Sequence, residues 1–194
     1  LASLAARHMK LSTMELGGHA PAIVFNDADL TAALDVLTTQ KFRNAGQVCV
    51  APTRFLIQDE LYEKFVDGYV QLAKKVKLGN GLDSSTSMGP LAHDRRLAAV
   101  EELVQDAVDL GAKIHCGGQR PKNVGYFYPP TVLTGVPKSA RMMNEEPFGP
   151  VIPISSFKTV DEVLMEANRL PYGLSAYAYT CLLYTSPSPR DSDS

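Results

Sequence analysis

The segment "AIVFNDADLTAALDVLTTQKFRNAGQVCVAPTRFLI", residues 22–57, changes hydrophobic period twice. The continuous apolar run at 22–25 reads as a short buried strand, and the Asn and Asp of "NDAD" that close it suit a helix start. Leu30, Ala33, Leu34 and Leu37 then recur at helical spacing until Asn44-Ala45-Gly46 breaks the pattern just ahead of Cys49. From Thr53 to Ile57 the chain returns to strand character. Strand, helix, strand in that order argues an α/β domain.

The remainder continues the alternation. Residues 59–77 place Leu61, Phe65, Tyr69, Leu72 and Val76 on one stripe of an amphipathic helix that "GNGLD" stops. A second helix is expected over 93–110, with Leu97, Val100, Leu103, Val104 and Ala107 inward and Gly111 just past its end. "AKIH" reads as a strand. "YPPTVL" and "VIPIS" read as strands too, and their prolines predict edges or strand starts rather than strand centres. Thr159 with Glu162 forms a capping box opening a short helix that reaches about Arg169.

With 194 residues, 45% of them apolar, the chain can bury one sizeable core but not two large domains. A net charge of -2, with both signs scattered, offers neither nucleic acid nor an anionic bilayer a basic stripe. No apolar run approaches the roughly 20 residues of a membrane span. The opening "LASLAARHMKLSTM" lacks an initial Met and a leading cationic segment, so it reads as the interior of a longer chain rather than a signal peptide. Cys49, Cys116 and Cys181 are odd in number and widely spaced, which argues against a disulfide framework and for a reducing, cytoplasmic compartment. His8, His19, His93 and His115 fall at no metal-ligand spacing, and no metal is expected.

Three segments hold residues able to do chemistry. Cys49 stands at a helix-to-strand junction, where Gly46 permits close approach; it could be a nucleophile or a small apolar filler between two valines. Glu15 in "MELGGHAP", ahead of two glycines, could be a partly desolvated general base or an ordinary strand-end charge. Glu145 and Glu146 in "NEEPFGPV" sit beside Phe148 and could hold ribose hydroxyls against a ring, or form a solvated turn.

Taken together, "MELGGHAP", "NAGQVCVAPTR" and "NEEPFGPVIPI" resemble, in order and spacing, the signature segments of the aldehyde dehydrogenase superfamily, with support from "MGPL", "GAKIHCGG" and "ANRLPYGLSAY". The resemblance implies an aldehyde dehydrogenase-like catalytic domain over 16–180, preceded at 1–15 by the partial edge of a Rossmann-type cofactor domain. It assigns Cys49 as the nucleophile that forms a thiohemiacetal and then a thioester, and Glu15 as the base that activates water for hydrolysis. The Cys49 N–H becomes one oxyanion donor, and Glu146, Phe148 and Gly17 face the nicotinamide end of NAD or NADP. The substrate would be a small aldehyde, and "GQVCVAPTR" looks closest to succinate-semialdehyde dehydrogenases. The parent enzyme would be a homodimer or homotetramer.

The same resemblance limits the claim. Family chains are considerably longer, and the dinucleotide phosphate loop and the second oxyanion donor are expected upstream of Leu1; no G-x-G-x-x-G occurs here. Arg96, Ala98 and Ala99 stand where some members carry cofactor-contacting Gln and Lys, which puts those contacts in doubt. His19 is expected to be a surface or turn residue, Arg54 a structural hydrogen-bonding partner, and Cys116 a strand-end filler. The tail "CLLYTSPSPRDSDS", residues 181–194, looks like a translated sequencing adapter or a disordered end. Two other readings compete: a cysteine-dependent thioesterase or esterase, which needs no nicotinamide site, and a catalytically inactive interaction fragment.

Overall fold

The computed structural model describes residues 1–122 and 125–181. Expectations for the tail beyond Cys181 fall outside the described residues. One six-stranded sheet organises the chain, in the order β3-β4-β5-β2-β1-β6. Its strands are β1 (Ala20–Val24), β2 (Pro52–Gln58), β3 (Lys113–Cys116), β4 (Thr131–Thr134), β5 (Val151–Phe157) and β6 (Tyr177–Tyr179). All neighbouring pairs are parallel except β3 with β4.

Period-two alternation divides the sheet between two cores. Ala22, Val24, Phe55 and Ile57 face a large cluster, while Ile23 and Leu56, between them in sequence, face a small one with Phe157 and Val163. The large cluster is covered by α2 (Leu30–Phe42), α3 (Asp59–Lys75) and α4 (Asp94–Asp109), and the small one by α5 (Val160–Ala167). Parallel strands buried on both faces in this way must be apolar along their length, which is why "AIVF" shows no alternation.

The helix starts follow their caps. Asp29 Oδ1 accepts from Ala32 N–H at 3.0 Å, His93 Nδ1 from Arg96 N–H at 3.0 Å, and Thr159 Oγ1 from Glu162 N–H at 3.2 Å. α3 carries Asp59 and Glu60 in its first turn and Lys74 and Lys75 in its last, matching the helix dipole. Gly111, at φ +99°, ends α4 as expected. On α3 the buried stripe is Phe65, Val66, Tyr69, Val70 and Ala73; Leu72 and Val76 lie on its margin, half-buried. α1 (Ala2–Ala6) is a single short helix with no buried residue.

The proline rule holds for β4 and fails for β5. β4 and β5 are interior, and the edges are β3 and β6. Pro129 and Pro130 do precede the first residue of β4, but Pro153 lies inside β5. It is tolerated because the β2 ladder begins one residue later, at Ile154, so Pro153 stands ahead of that pairing.

His19 corrects another expectation. It is only 1% exposed, immediately before β1, with Nδ1 2.8 Å from Thr53 Oγ1 and Nε2 3.0 Å from Met142 O. A carbonyl only accepts, so Nε2 carries the hydrogen in the neutral ring. Burial, and then the Arg54 charge, push its pKa down to about 4 against the opposing Met142 bond. A residue after two glycines is expected at a surface or turn, yet His19 is buried just ahead of the interior strand β1.

Arg54, also 1% exposed, behaves as a structural partner. It donates to His19 O at 3.1 and 3.2 Å, to Glu166 O at 2.7 Å and to Ala167 O at 2.9 Å, tying β2 to the end of α5. Cys116 closes β3 half-buried, with Sγ 3.7 Å from Pro130 O and its pKa raised by burial.

Candidate active site

α2 ends in a distorted turn, Arg43–Gly46, in which Asn44 (φ +49°) and Ala45 (φ +54°) are both left-handed. Two bonds between the same residues hold it: Asn44 Nδ2 donates to Gln47 O at 3.1 Å, and Gln47 Nε2 donates to Asn44 O at 3.0 Å. Gln47 Oε1 also accepts from Ala92 N–H at 2.9 Å, anchoring the turn to the segment before α4. Cys49 follows as a central residue of a turn closed by Ala51 N–H to Val48 O at 2.9 Å. It is half-buried, presented between helix and strand rather than inside either.

Two other segments meet this turn. Gly46, at φ +74°, lies so close to the Gly149 carbonyl that no side chain could fit between them. Gly18 lies under the turn itself, where a methyl group would stand 2.6 Å from Cys49 O. Gly18 N–H donates to Glu146 Oε1 at 3.0 Å, and a methyl on Gly17 would meet Glu146 Oε2 at 2.6 Å. Phe148 is held at φ +41°, a conformation a bulky residue rarely takes, while Arg96 Nη1 donates to the preceding Pro147 O at 3.2 Å. Arg96 thus acts on the backbone of this loop. On the far side of Cys49, the Tyr177 hydroxyl donates to Val50 O at 2.6 Å.

The result is a cleft of about 280 Å³ lined by Glu15, Leu16, Gly17, Cys49, Glu146 and Phe148. All five residues singled out from the sequence line it. Glu15 is exposed rather than desolvated, on a stretch without regular structure. The two acids of "EEPFGP" separate: Glu145 pairs with Arg141 at 2.9 Å on the surface, and Glu146, half-buried, turns to the cleft. A larger groove of about 820 Å³ beside α4 is lined by the paired Glu101 and Arg120 and contains no nucleophile. Among the described residues, no three His, Cys, Asp or Glu side chains gather as a metal site, and no helix is long and apolar enough to cross a membrane.

One nearby group escaped the sequence reading. Lys41 is 0% exposed, and its Nζ has no hydrogen-bonding partner in the protein. Burial lowers its pKa to about 7, opposed by the charge of Glu146. The available signal was its spacing: Lys41 stands one turn beyond Leu37, on the inward stripe.

Residues 1–185 match the sequence profile of the Aldehyde dehydrogenase family. The chain is 44% identical over 180 residues to 4-(hydroxymethyl)benzenesulfonate dehydrogenase TsaD1 of Comamonas testosteroni, covering 93% of this chain and 37% of that one. It is 42% identical over 174 residues to the succinate-semialdehyde dehydrogenase [NADP(+)] GabD of Escherichia coli K12, covering 90% and 36%. The crystal structure of succinate-semialdehyde dehydrogenase from Burkholderia pseudomallei superposes with a TM-score of 0.92 at 38% identity, over 94% of this chain and 38% of that one. The chain therefore spans little more than a third of the length of the relatives it matches.

Proposed function

Because this chain belongs to the aldehyde dehydrogenase family, we propose that the Cys49 cleft is the catalytic centre of an enzyme that oxidises an aldehyde to a carboxylic acid with NAD or NADP. The observation that carries this reading is the convergence of Glu15, Gly17, Cys49, Glu146 and Phe148, from three distant segments, on one cleft. The thioesterase reading gives the cleft-facing Glu146 no group to hold, and the inactive-fragment reading leaves the half-buried Cys49 without a role.

The Cys49 thiolate attacks the aldehyde carbon, forming a carbon–sulfur bond while the carbonyl oxygen becomes an oxyanion received by the Cys49 N–H. A bound nicotinamide would accept the hydride that converts this thiohemiacetal into a thioester. Glu15 then takes a proton from water, the water oxygen adds to the thioester carbon, and the carbon–sulfur bond breaks to release the acid and the Cys49 thiol. An exposed Glu15 suits that role. It can approach for hydrolysis without standing permanently beside the thiolate, where like charge would weaken the nucleophile.

The cleft fits the nicotinamide-ribose end of such a cofactor. Gly17 lines the cleft with exposed backbone, Glu146 offers an acceptor to paired hydroxyls, and Phe148 adds an apolar wall. We assign residues 1–15 to the edge of a cofactor domain and 16–180 to the catalytic domain. The relatives' names point to a small aldehyde bearing an acidic group, a semialdehyde being the first candidate. A cytoplasmic homo-oligomer is the form this reading expects of the parent enzyme.

Succinate semialdehyde should therefore slow iodoacetamide alkylation of Cys49, because the thiohemiacetal masks the sulfur, and leave Cys181 unaffected. Equal protection of both cysteines, or of neither, would refute the assignment. Cofactor reduction by the isolated chain should be negligible, since the dinucleotide phosphate site is assigned to sequence outside it.

A further inference from the structure

β6 brings to the Cys49 turn a hydroxyl that the chemistry above leaves unused. Tyr177 is paired with Ala22 of β1, and its phenol reaches across that strand to donate to Val50 O at 2.6 Å, just ahead of β2. That is the short end of the range for an O–H···O bond. The ring is half-buried against the large core, so packing holds the phenol in place as well as the bond.

Val50 O belongs to the peptide joining Val50 to Ala51, and the N–H of that same peptide donates to Val48 O at 2.9 Å. Val48 O belongs in turn to the peptide whose N–H is that of Cys49, the donor assigned to the oxyanion. Two planar peptide units therefore stand in line between the phenol and the reacting centre, each accepting at its carbonyl and donating at its N–H. Among the described residues, no acceptor meets the Cys49 N–H, so this chain of bonds ends on a donor left to a ligand. Gly18 bounds the turn on another side, where a β-carbon would stand 2.6 Å from Cys49 O. Bonds in such a chain polarise one another, so a donor at its head strengthens the donor at its end.

We propose that Tyr177 is a positioning residue that orients and polarises the Cys49 N–H as an oxyanion donor, acting through the Val50–Ala51 and Val48–Cys49 peptides. The proposal rests on the reading of Cys49 as the nucleophile. A phenol that merely braced the turn would affect every reaction of the thiol alike, whereas this chain of bonds affects only those that build charge on a carbonyl oxygen.

Two reagents separate these cases. With 4-nitrophenyl acetate the thiolate adds to the carbonyl carbon, the carbonyl electron pair moves to oxygen as an oxyanion, and its return expels 4-nitrophenolate. With iodoacetamide the thiolate displaces iodide from a saturated carbon and no oxyanion forms. Both rates at Cys49 are followed by peptide-mapped mass spectrometry of the full chain. In Tyr177→Phe acetylation should be about tenfold slower, a fraction of the cost of removing an oxyanion donor outright, with alkylation unchanged. Equal slowing of both, slowing of alkylation alone, or no change in either, in a variant with a native amide spectrum, overturns the proposal. Should Tyr177→Phe not fold, replacement of Tyr177 by 3-fluorotyrosine, a stronger donor of nearly the same shape, decides: the ratio of acetylation to alkylation should rise, and a ratio unchanged or lowered overturns the proposal. Acetylation of Cys49 in the unaltered chain no faster than that of the exposed Cys181 would overturn the nucleophile reading itself.

Discussion

His19 and Lys41 make the stability of this chain rise with pH, over different ranges. The His19 pKa is about 4 in the fold against an ordinary 6.5, so on acidification the unfolded chain takes the proton first. Stability should be lost progressively as pH falls from about 6.5 to about 4, by at most roughly 3 kcal/mol, and His19→Gln should flatten that part of a urea-denaturation series. Lys41 has a folded pKa of about 7 against 10.5, so its penalty is fully present below about 7 and relieved as pH rises toward 10.5. Lys41→Met should accordingly raise the denaturation midpoint most at neutral and acid pH. His19 is expected at a surface or turn, and Lys41 is not singled out by the sequence. A histidine after two glycines and a lysine on a helix are ordinarily exposed; His19 is buried against Thr53 and Met142, distant in sequence, and Lys41 by the packing of the inward face of α2. Cys49, Glu15 and Glu146, which the structure brings to one cleft, could be singled out because residue type and order survive in the one-dimensional pattern.

Elements were legible where one period ran uninterrupted, as in α3 and α4, and where a cap marked the start, as at Asp29 and Thr159. They were misread where pairing overrides a local rule: Pro153 sits inside β5 because the neighbouring ladder starts after it. β6 is too short to announce itself, with three residues resting on β1. The junctions between elements carry the sharpest predictions. Gly46→Ala forces a β-carbon against the Gly149 backbone at φ +74° and should cost roughly 1–3 kcal/mol or more, read as a lowered thermal midpoint together with loss of Cys49 reactivity. Arg54→Ala leaves three buried carbonyls without their donor and uncouples β2 from α5; a loss of roughly 3–5 kcal/mol is expected in chemical denaturation. A loss below about 1 kcal/mol would mean that these carbonyls find other donors.

At the scale of the whole molecule, the α/β class followed from alternation alone, but the strand order did not, because nothing in a strand's own residues says which neighbour it takes. The cleft is assembled by that order: β1 and β2 lie side by side, bringing the Gly17–Gly18 segment beneath the Cys49 turn, and β5 beside β2 delivers the Glu146 loop to both. The chain spans little more than a third of its relatives' length, yet it holds both residues assigned to the covalent steps. Those steps can therefore be tested without a cofactor. The most direct measurement is peptide-mapped mass spectrometry of the chain after exposure to an activated ester, in unaltered and Glu15→Gln forms. The account predicts an acyl group on Cys49 that turns over in the unaltered chain and persists in Glu15→Gln. Acylation spread without preference over Cys49, Cys116 and Cys181, or lost from Cys49 at one rate in both forms, would contradict it.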